Sequence, residues 1–485
     1  MFPPLQDVLR VLPEIILSVT GILLMLAEPF LTRAHRSVLA PLAAGGGALA
    51  LISTIYPAML PGMAFSGLLR IDGFSVFVHE VVLAVALLVV IGSADYLDRE
   101  HIQQGEYYAL VLFGTVGMCV MSSAAELLTA FVALETSSIS TYILASYRRD
   151  APRSNESALK YFLLGSFATA FFLYGIAMIY GATGSTQLAL MKFPTLPGAE
   201  RLLDLGLALV FVGLAFKVAA APFQLWTPDV YEGAPAPVTA LMASGPKAAA
   251  FALLLRIVAG MPAAGALWFW ALWISAALTM FVGNLAAIAQ SNVKRMLAYS
   301  SIAHAGYILV ALAAAAASDQ VELGVAAVLY YLAVYALMKL GAFILVSQLG
   351  GESERHLDID DFRGLALRQP LAAACFGLFL LSLLGLPITA GFLGKFYIFT
   401  AALASRLVWL AVLLAINTVI AAFYYLRVIV VMYMREPNQT WPAVPMPWAV
   451  TLVLSIAAAG TFYLGLFPGR VMALATHAAL SLPGR

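Results

Sequence analysis

The chain has 485 residues, 62% of them hydrophobic and only 11% charged, with a formal net charge of +1. Soluble domains run at about 45–50% apolar and about 25% charged residues, so this composition excludes a water-soluble globular fold. The near-zero net charge points to no nucleic-acid partner.

Apolar runs of 18 or more residues, each long enough to cross roughly 30 Å of hydrocarbon, recur from end to end. Fourteen candidate spans follow one another near 11–30, 37–56, 74–94, 106–123, 127–147, 157–180, 202–225, 237–259, 266–290, 295–317, 321–349, 370–403, 407–434 and 446–467. The first follows Pro3, Pro4 and Arg10 and precedes no small-residue cleavage site, so it reads as a retained helix, not a signal peptide. The stretch 370–403 is too long for one straight span, and no hydrophilic segment is long enough for a soluble domain. The chain reads as an all-α, polytopic membrane protein.

Lysine and arginine in the short loops orient it. The connections after odd-numbered spans carry twelve: Arg33, Arg36, Arg99, Arg148, Arg149, Arg153, Lys294, Arg295, Arg355, Arg363, Arg368 and Arg435. The other side, tails included, carries eight: Arg10, Arg70, Lys192, Arg201, Arg256, Arg406, Arg470 and Arg485. This bias puts both termini outside and the odd-numbered loops in the cytoplasm. The two cysteines, Cys119 and Cys375, lie inside spans without a C-x-x-C, so neither an iron–sulfur site nor a disulfide framework is available. No ATP-binding or dinucleotide-binding glycine motif is present. If the chain serves a redox process, the electrons are handled elsewhere and no cofactor sits in this chain.

Five of the seven lysines, Lys160, Lys217, Lys247, Lys339 and Lys395, fall within apolar segments, while most arginines sit in loops or at span ends. A charged lysine at the centre of a membrane helix costs about 2.5–3.5 kcal/mol. Lysine differs from arginine in that desolvation can bring its proton release near neutral pH, so a row of buried lysines is a row of proton-holding sites. Snorkelling or a single packing ion pair is the plainer reading, and for Lys160, a few residues into its span, the two readings weigh equally. Glu135, in LLTAFVALETSSISTYIL, is the carboxylate placed mid-span, and beside Lys217 on a neighbouring helix it would titrate as a coupled unit. Glu80, next to His79, is a weaker candidate. His304, in SSIAHAGYILV, suits a relay as well as it suits packing.

Two helices carry breakers. Pro222 lacks an amide hydrogen and frees the carbonyl of Val218, one turn from Lys217; Pro387, with Gly385, Gly391 and Gly394, interrupts the stretch before Lys395 and frees the carbonyl of Leu383. Lysine-bearing broken helices in the seventh and twelfth spans imply two five-helix units, and an odd number per unit inverts the second relative to the first. The divisions are an N-terminal three-helix region (1–105), a first unit (106–260), a second (261–434) and a C-terminal helix (435–485).

The segments "FKVAAAPFQLWTPDVYEGAPAPVTA", "NVKRMLAYSSIAHAGY" and "GLPITAGFLGKFYIF" resemble the antiporter-like membrane subunits of respiratory complex I, above all its subunit N branch. These are related to Mrp-type sodium/proton antiporters and membrane-bound hydrogenase subunits. The likeness runs over about residues 70–435. It implies a proton-translocating subunit of a bacterial NADH-quinone oxidoreductase in the inner membrane, beside other antiporter-like and small membrane subunits, with NADH, FMN, iron–sulfur clusters and quinone in partner chains. By the same resemblance Glu135 and Lys217 are a paired glutamate and lysine, Lys247 lies on a central hydrophilic axis, Lys395 belongs to the exit half, and His304 and Lys160 fall at polar positions of the family. Gln224 stands where a histidine is common, and Lys339 looks like the lysine of the sibling subunits. The rival reading is an Mrp-type antiporter or hydrogenase subunit, against which a lysine-lined path repels sodium.

Overall fold

The computed structural model describes residues 3–31, 33–102, 105–191, 198–260, 265–317, 321–437 and 446–482. Of the charges counted for orientation, Lys192, Arg485 and the side chain of Arg33 lie outside the described residues, as does the unit boundary drawn at 261. The chain order is α1 (Leu12–Ala27), α2 (Leu39–Ser53), a short antiparallel hairpin of β1 (Gly62–Ala64) and β2 (Leu69–Ile71), then α3 (Gly73–Arg99), α4 (Gly105–Ser123), α5 (Leu127–Ala145) and α6 (Pro152–Thr183). It continues with α7 (Glu200–Val218), α8 (Trp226–Gly233), α9 (Ala236–Gly260), α10 (Gly265–Ile288), α11 (Val293–Ala317) and α12 (Val321–Leu349). Last come α13 (Pro370–Leu384), α14 (Ala390–Ala404), α15 (Val408–Met434), α16 (Trp448–Leu466) and α17 (Gly469–Leu480).

Among the described residues 12 helices are long and apolar enough to cross a membrane. The two sequence spans missing from that set are the seventh and the twelfth, the ones that carry the breakers. The seventh is split into α7 and α8, the twelfth into α13 and α14. Each broken pair stands fourth in a series of five, in α4–α9 and again in α10–α15. The multi-pass helical fold read from the sequence is the fold observed.

Helix ends follow local chemistry. Asp72 caps α3 through a reciprocal pair with Ser75, the Ser75 N–H donating to Asp72 Oδ1 at 2.8 Å and the Asp72 N–H to Ser75 Oγ at 3.0 Å. Helix α6 starts on Pro152 and stops at Gly184 in the left-handed region, where a glycine is the least strained residue. Helices α9, α11 and α12 form the centre: the whole apolar window of α9 is buried, against 33% for α1. A helix apolar on every side must be covered on every side. Helix α9 lies against α3 and α12, and α14 packs on both α11 and α12.

The two breaks share one geometry. Helix α7 ends at Val218 with Ala219 left-handed, its N–H donating to Phe216 O and the Ala220 N–H to Ala215 O. Helix α13 ends at Leu384 with Gly385 left-handed, its N–H donating to Ser382 O and the Leu386 N–H to Leu381 O. Both are Schellman caps, which close the last turn on itself. The helices therefore stop four residues before Pro222 and three before Pro387, and the cap, not the proline ring, ends them. This corrects the expectation that the prolines free the carbonyls of Val218 and Leu383. The Ala221–Pro222 peptide is cis. The Trp226 indole takes the Phe216 carbonyl at 2.9 Å and Thr279 of α10 accepts from the Ala221 N–H at 2.8 Å, so loosened backbone is satisfied by protein, as hydrocarbon demands. At the second break Gly391 lets α14 approach α13 closely: a Cβ there would stand 1.8 Å from Ser382 O.

Buried ion pairs close the bundle at both ends. On the hairpin side Arg256 forks onto Asp72 at 2.7 and 2.9 Å and donates to Ser122 O, joining α9, α4 and the start of α3. On the opposite side Lys294, counted from the sequence as a loop charge, is fully buried. It donates to Glu354 at 2.7 Å and to Ala234 O at 2.6 Å. Glu354 also accepts from the Ala236 N–H and the Tyr96 hydroxyl. Burial alone would raise the Glu354 carboxyl, but Lys294 and these donors outweigh it and hold it below its ordinary value. A depressed pKa of this kind adds stability above the unfolded value of about 4.3, lost as pH falls through the folded one. Lys294→Ala leaves that carboxylate buried alone and should cost about 3–5 kcal/mol, read as a lower unfolding midpoint of the purified protein. The wild-type midpoint should itself fall below about pH 4, and Glu354→Gln should flatten that acid limb.

Candidate functional site

One stripe of α11 organises the centre. Ser300, Ser301, His304 and Tyr307 recur at helical spacing on a single face, spanning about 10 Å of rise. Lys247 of α9 donates to Ser301 Oγ at 2.7 Å and Ser301 O at 3.0 Å. Lys339 of α12 donates to Ser300 Oγ and Leu297 O, both at 2.8 Å. The Ser300 hydroxyl meets Tyr425 of α15, whose own hydroxyl is 3.1 Å from His304 Nε2, and His304 Nδ1 is 2.6 Å from the Tyr331 hydroxyl. Ser301 Oγ is 2.6 Å from the Tyr335 hydroxyl. The Tyr335 ring faces the ammoniums of Lys247 and Lys339 and lies 5.3 Å from the His304 ring. Every hydroxyl in this chain can donate and accept, so its hydrogen bonds can reverse direction together.

The second break completes the axis. Lys395 reaches back to Leu384 O at 2.9 Å, a carbonyl left over at the end of α13, and sits 4.7 Å above the Tyr307 ring, which in turn meets His304 edge-on at 5.3 Å. Asn284 donates to the Tyr307 hydroxyl at 3.0 Å and to Asn417 Oδ1 at 3.1 Å. At the first break Lys217 donates to Ser138 Oγ at 2.8 Å and the Tyr161 hydroxyl at 3.3 Å. Tyr161 stacks on Trp226 at 4.5 Å, and Trp226 meets Tyr231 edge-on. The fully buried Tyr231 hydroxyl has neither Tyr161 nor Ser301 within hydrogen-bond distance, though both are its polar neighbours.

Lys217, Lys247, Lys339 and Lys395 are each at most 5% exposed. Among the described residues none of the four forms an ion pair. Hydroxyls, carbonyls and ring faces take the place of counter-ions. Glu135 is not in ion-pair contact with Lys217: its Oε1 has no hydrogen-bond partner, and Ser138, one turn along the same face of α5, holds the lysine instead. Lys160 lies apart from these four. Its side chain is 45% exposed and pairs with Glu156 at 2.9 Å and Asp229 at 2.8 Å, beside a cleft of about 190 Å³. Arg295 holds the other Asp229 oxygen at 2.7 Å. Gln224 is buried without a partner for its Oε1, and Glu80 is exposed, lining a cleft with Leu337 and Leu340 of α12.

Residues 124–421 match the family described as NADH:quinone oxidoreductase/Mrp antiporter, TM. A relative from Solibacter usitatus, "NADH-quinone oxidoreductase subunit N 1", is 50% identical, covering 98% of this chain and 98% of that one. The chain belongs to the NADH-quinone oxidoreductase subunit N family. A chain of respiratory complex I from Thermus thermophilus superposes with a TM-score of 0.81 at 39% identity, over 96% of this chain and 99% of that one. A chain of the Mrp complex from a Dietzia species superposes at 0.86 over 99% and 97%, but at 20% identity that likeness speaks to fold alone.

Within this subunit N fold the site contains residues that the sequence reading left out: Ser138, Tyr161, Tyr231, Ser300, Ser301, Tyr307, Tyr331, Tyr335, Tyr425 and Asn284. The α11 members follow His304 at three- and four-residue spacing, and Tyr331 and Tyr335 repeat at i, i+4, so those were visible in principle. Tyr425, Asn284 and Ser138 had no such marker. Lys160→Ala removes two exposed ion pairs while Arg295 retains Asp229, so it should leave the unfolding midpoint of the purified protein nearly unchanged. A loss as large as that of Lys294→Ala would contradict the surface placement.

Proposed function

We propose that the chain is a proton-translocating membrane subunit of NADH-quinone oxidoreductase, working beside other antiporter-like and small membrane subunits. NADH, FMN, the iron–sulfur clusters and quinone belong in this reading to partner subunits. The carrying observation is the row of four buried ammoniums without counter-carboxylates, joined by hydroxyls and one imidazole. Each of these amines rests on hydroxyls or carbonyls that can take part in a hydrogen-bonded relay, so each lysine is suited to holding a proton and handing it on. A sodium path would need carboxylates and carbonyls, and ammoniums would repel the ion, which weighs against the antiporter reading.

In this scheme the cleft at Lys160, Glu156 and Asp229 is the uptake mouth on the cytoplasmic side, and Tyr161 leads from it to Lys217. Tyr231 connects to Ser301 and Lys247; Ser300, Lys339, Tyr425 and His304 carry the relay on; Tyr307 and Lys395 lead to the outer side, where both termini lie in a bacterial inner membrane. The five-helix units 106–260 and 261–434 house the two halves of the path, with 1–105 and 435–485 flanking them. Glu135 is the switch partner: Lys217 can leave Ser138 and close on Glu135 without either helix moving far. At about 4 Å such a pair is worth roughly 4 kcal/mol at an effective dielectric of about 20. That exceeds the about 2.3 kcal/mol needed to move a charge through 100 mV, so closing and opening the pair can drive a proton against a membrane potential. The arrangement observed is then the open one.

Lys217→Ala in the assembled complex, reconstituted into vesicles, should lower the number of protons moved per NADH oxidised, with NADH oxidation by a soluble electron acceptor unchanged. Undiminished pumping would sink the scheme.

A further inference from the structure

A second buried cluster lies apart from the lysine axis. Glu14 in the first turn of α1, His79 of α3 and Cys119 near the end of α4 bring a carboxylate oxygen, an imidazole nitrogen and a thiol within 4.8 Å of one another. All three side chains are buried, Glu14 at 5% exposure and the other two at 0%. His79 Nε2 stands 3.7 Å from Glu14 Oε1, 3.0 Å from Cys119 O and 2.9 Å from Ser123 Oγ. Both Glu14 oxygens and His79 Nδ1 lack a hydrogen-bond partner. A buried carboxyl left without a donor costs a few kcal/mol and calls for a missing partner.

We propose that Glu14, His79 and Cys119 form a binding site for a thiophilic transition-metal ion, zinc by its donor set, that ties α1, α3 and α4 together at their hairpin-side ends. Oxygen, nitrogen and sulfur from three separate helices are the ligand types zinc takes, and a hard cation such as magnesium would not choose the sulfur. Tetrahedral zinc with bonds of about 2.0–2.3 Å sets its ligands about 3.3–3.8 Å apart, so the cluster closes on the ion by about 1 Å of side-chain movement. Ser123 Oγ or a water completes the fourth position. The site is close to the helix ends that Asp72 and the β-hairpin cover, so the ion has only a turn or two of helix to pass. None of the three residues hydrogen-bonds a lysine of the axis, so the ion's role is to fix the N-terminal helices, of which α3 packs directly on α9 and α12.

The test uses the purified complex, stripped with a chelator, incubated with zinc chloride and desalted, with zinc counted per complex by mass spectrometry. Wild type should retain one more zinc than either the Cys119→Ser or the His79→Ala complex. Its zinc-edge absorption should show one sulfur neighbour at about 2.3 Å that Cys119→Ser lacks. Zinc should also raise the unfolding midpoint of wild type but not of Glu14→Gln. Equal zinc in wild type and variants, or a wild-type spectrum with no difference from Cys119→Ser, overturns the proposal. Should His79→Ala fail to assemble, the Cys119→Ser and Glu14→Gln comparisons decide it.

Discussion

Hydrocarbon offers neither water nor counter-ions, so every charge and every open peptide group in this chain must find its partner in the protein. The central helices exist to supply them. Helices α9, α11 and α12 are covered on all sides, and the lysines they carry could not sit on a lipid-facing helix at tolerable cost. Hydroxyls of serine and tyrosine, leftover carbonyls and aromatic faces solvate the four axial ammoniums. Where a positive charge is paired with a carboxylate, at Arg256–Asp72 and Lys294–Glu354, the pair lies at an end of the bundle and fastens helices together. The buried charges thus fall into two kinds, those fastened to a carboxylate at the bundle ends and those solvated by hydroxyls, carbonyls and rings along its centre.

The two broken helices show how one backbone device serves two purposes. Each stops in a Schellman cap, yet Lys217 precedes its cap and Lys395 follows its own. The first lysine therefore turns away from the break toward α5, where Ser138 accepts its hydrogen bond. The second turns back into the break and takes the carbonyl of Leu384. Similar breaks thus leave one lysine to side-chain hydroxyls and hold the other by backbone.

Much of the fold was legible because membrane thickness imposes a length on apolar runs, and the two over-long or interrupted runs marked the breaks. The lysines of the axis were legible because a charge in an apolar run is costly enough to need a reason. Lys294 was misjudged and Lys160 left open for one cause: hydropathy along the chain does not say which side of a helix meets water. Lys160 lies within a span but on an exposed face, and Lys294 lies at a loop yet faces the interior. Hydroxyl partners without such spacing, Ser138 and Tyr425, were hidden because serine and tyrosine are unremarkable in membrane helices until a neighbour is placed against them.

By itself the sequence determined that the chain crosses the membrane many times, where its helices break and which residue types carry protonatable charge, since all of these follow from local composition and spacing. Only the tertiary structure decided which lysines are joined, that Tyr335 stands between two of them, that Lys217 rests on Ser138 instead of Glu135, and that Glu14, His79 and Cys119 converge. These are contacts between helices far apart in the chain, and the packing of one helix against another, which local composition does not encode, is what sets them.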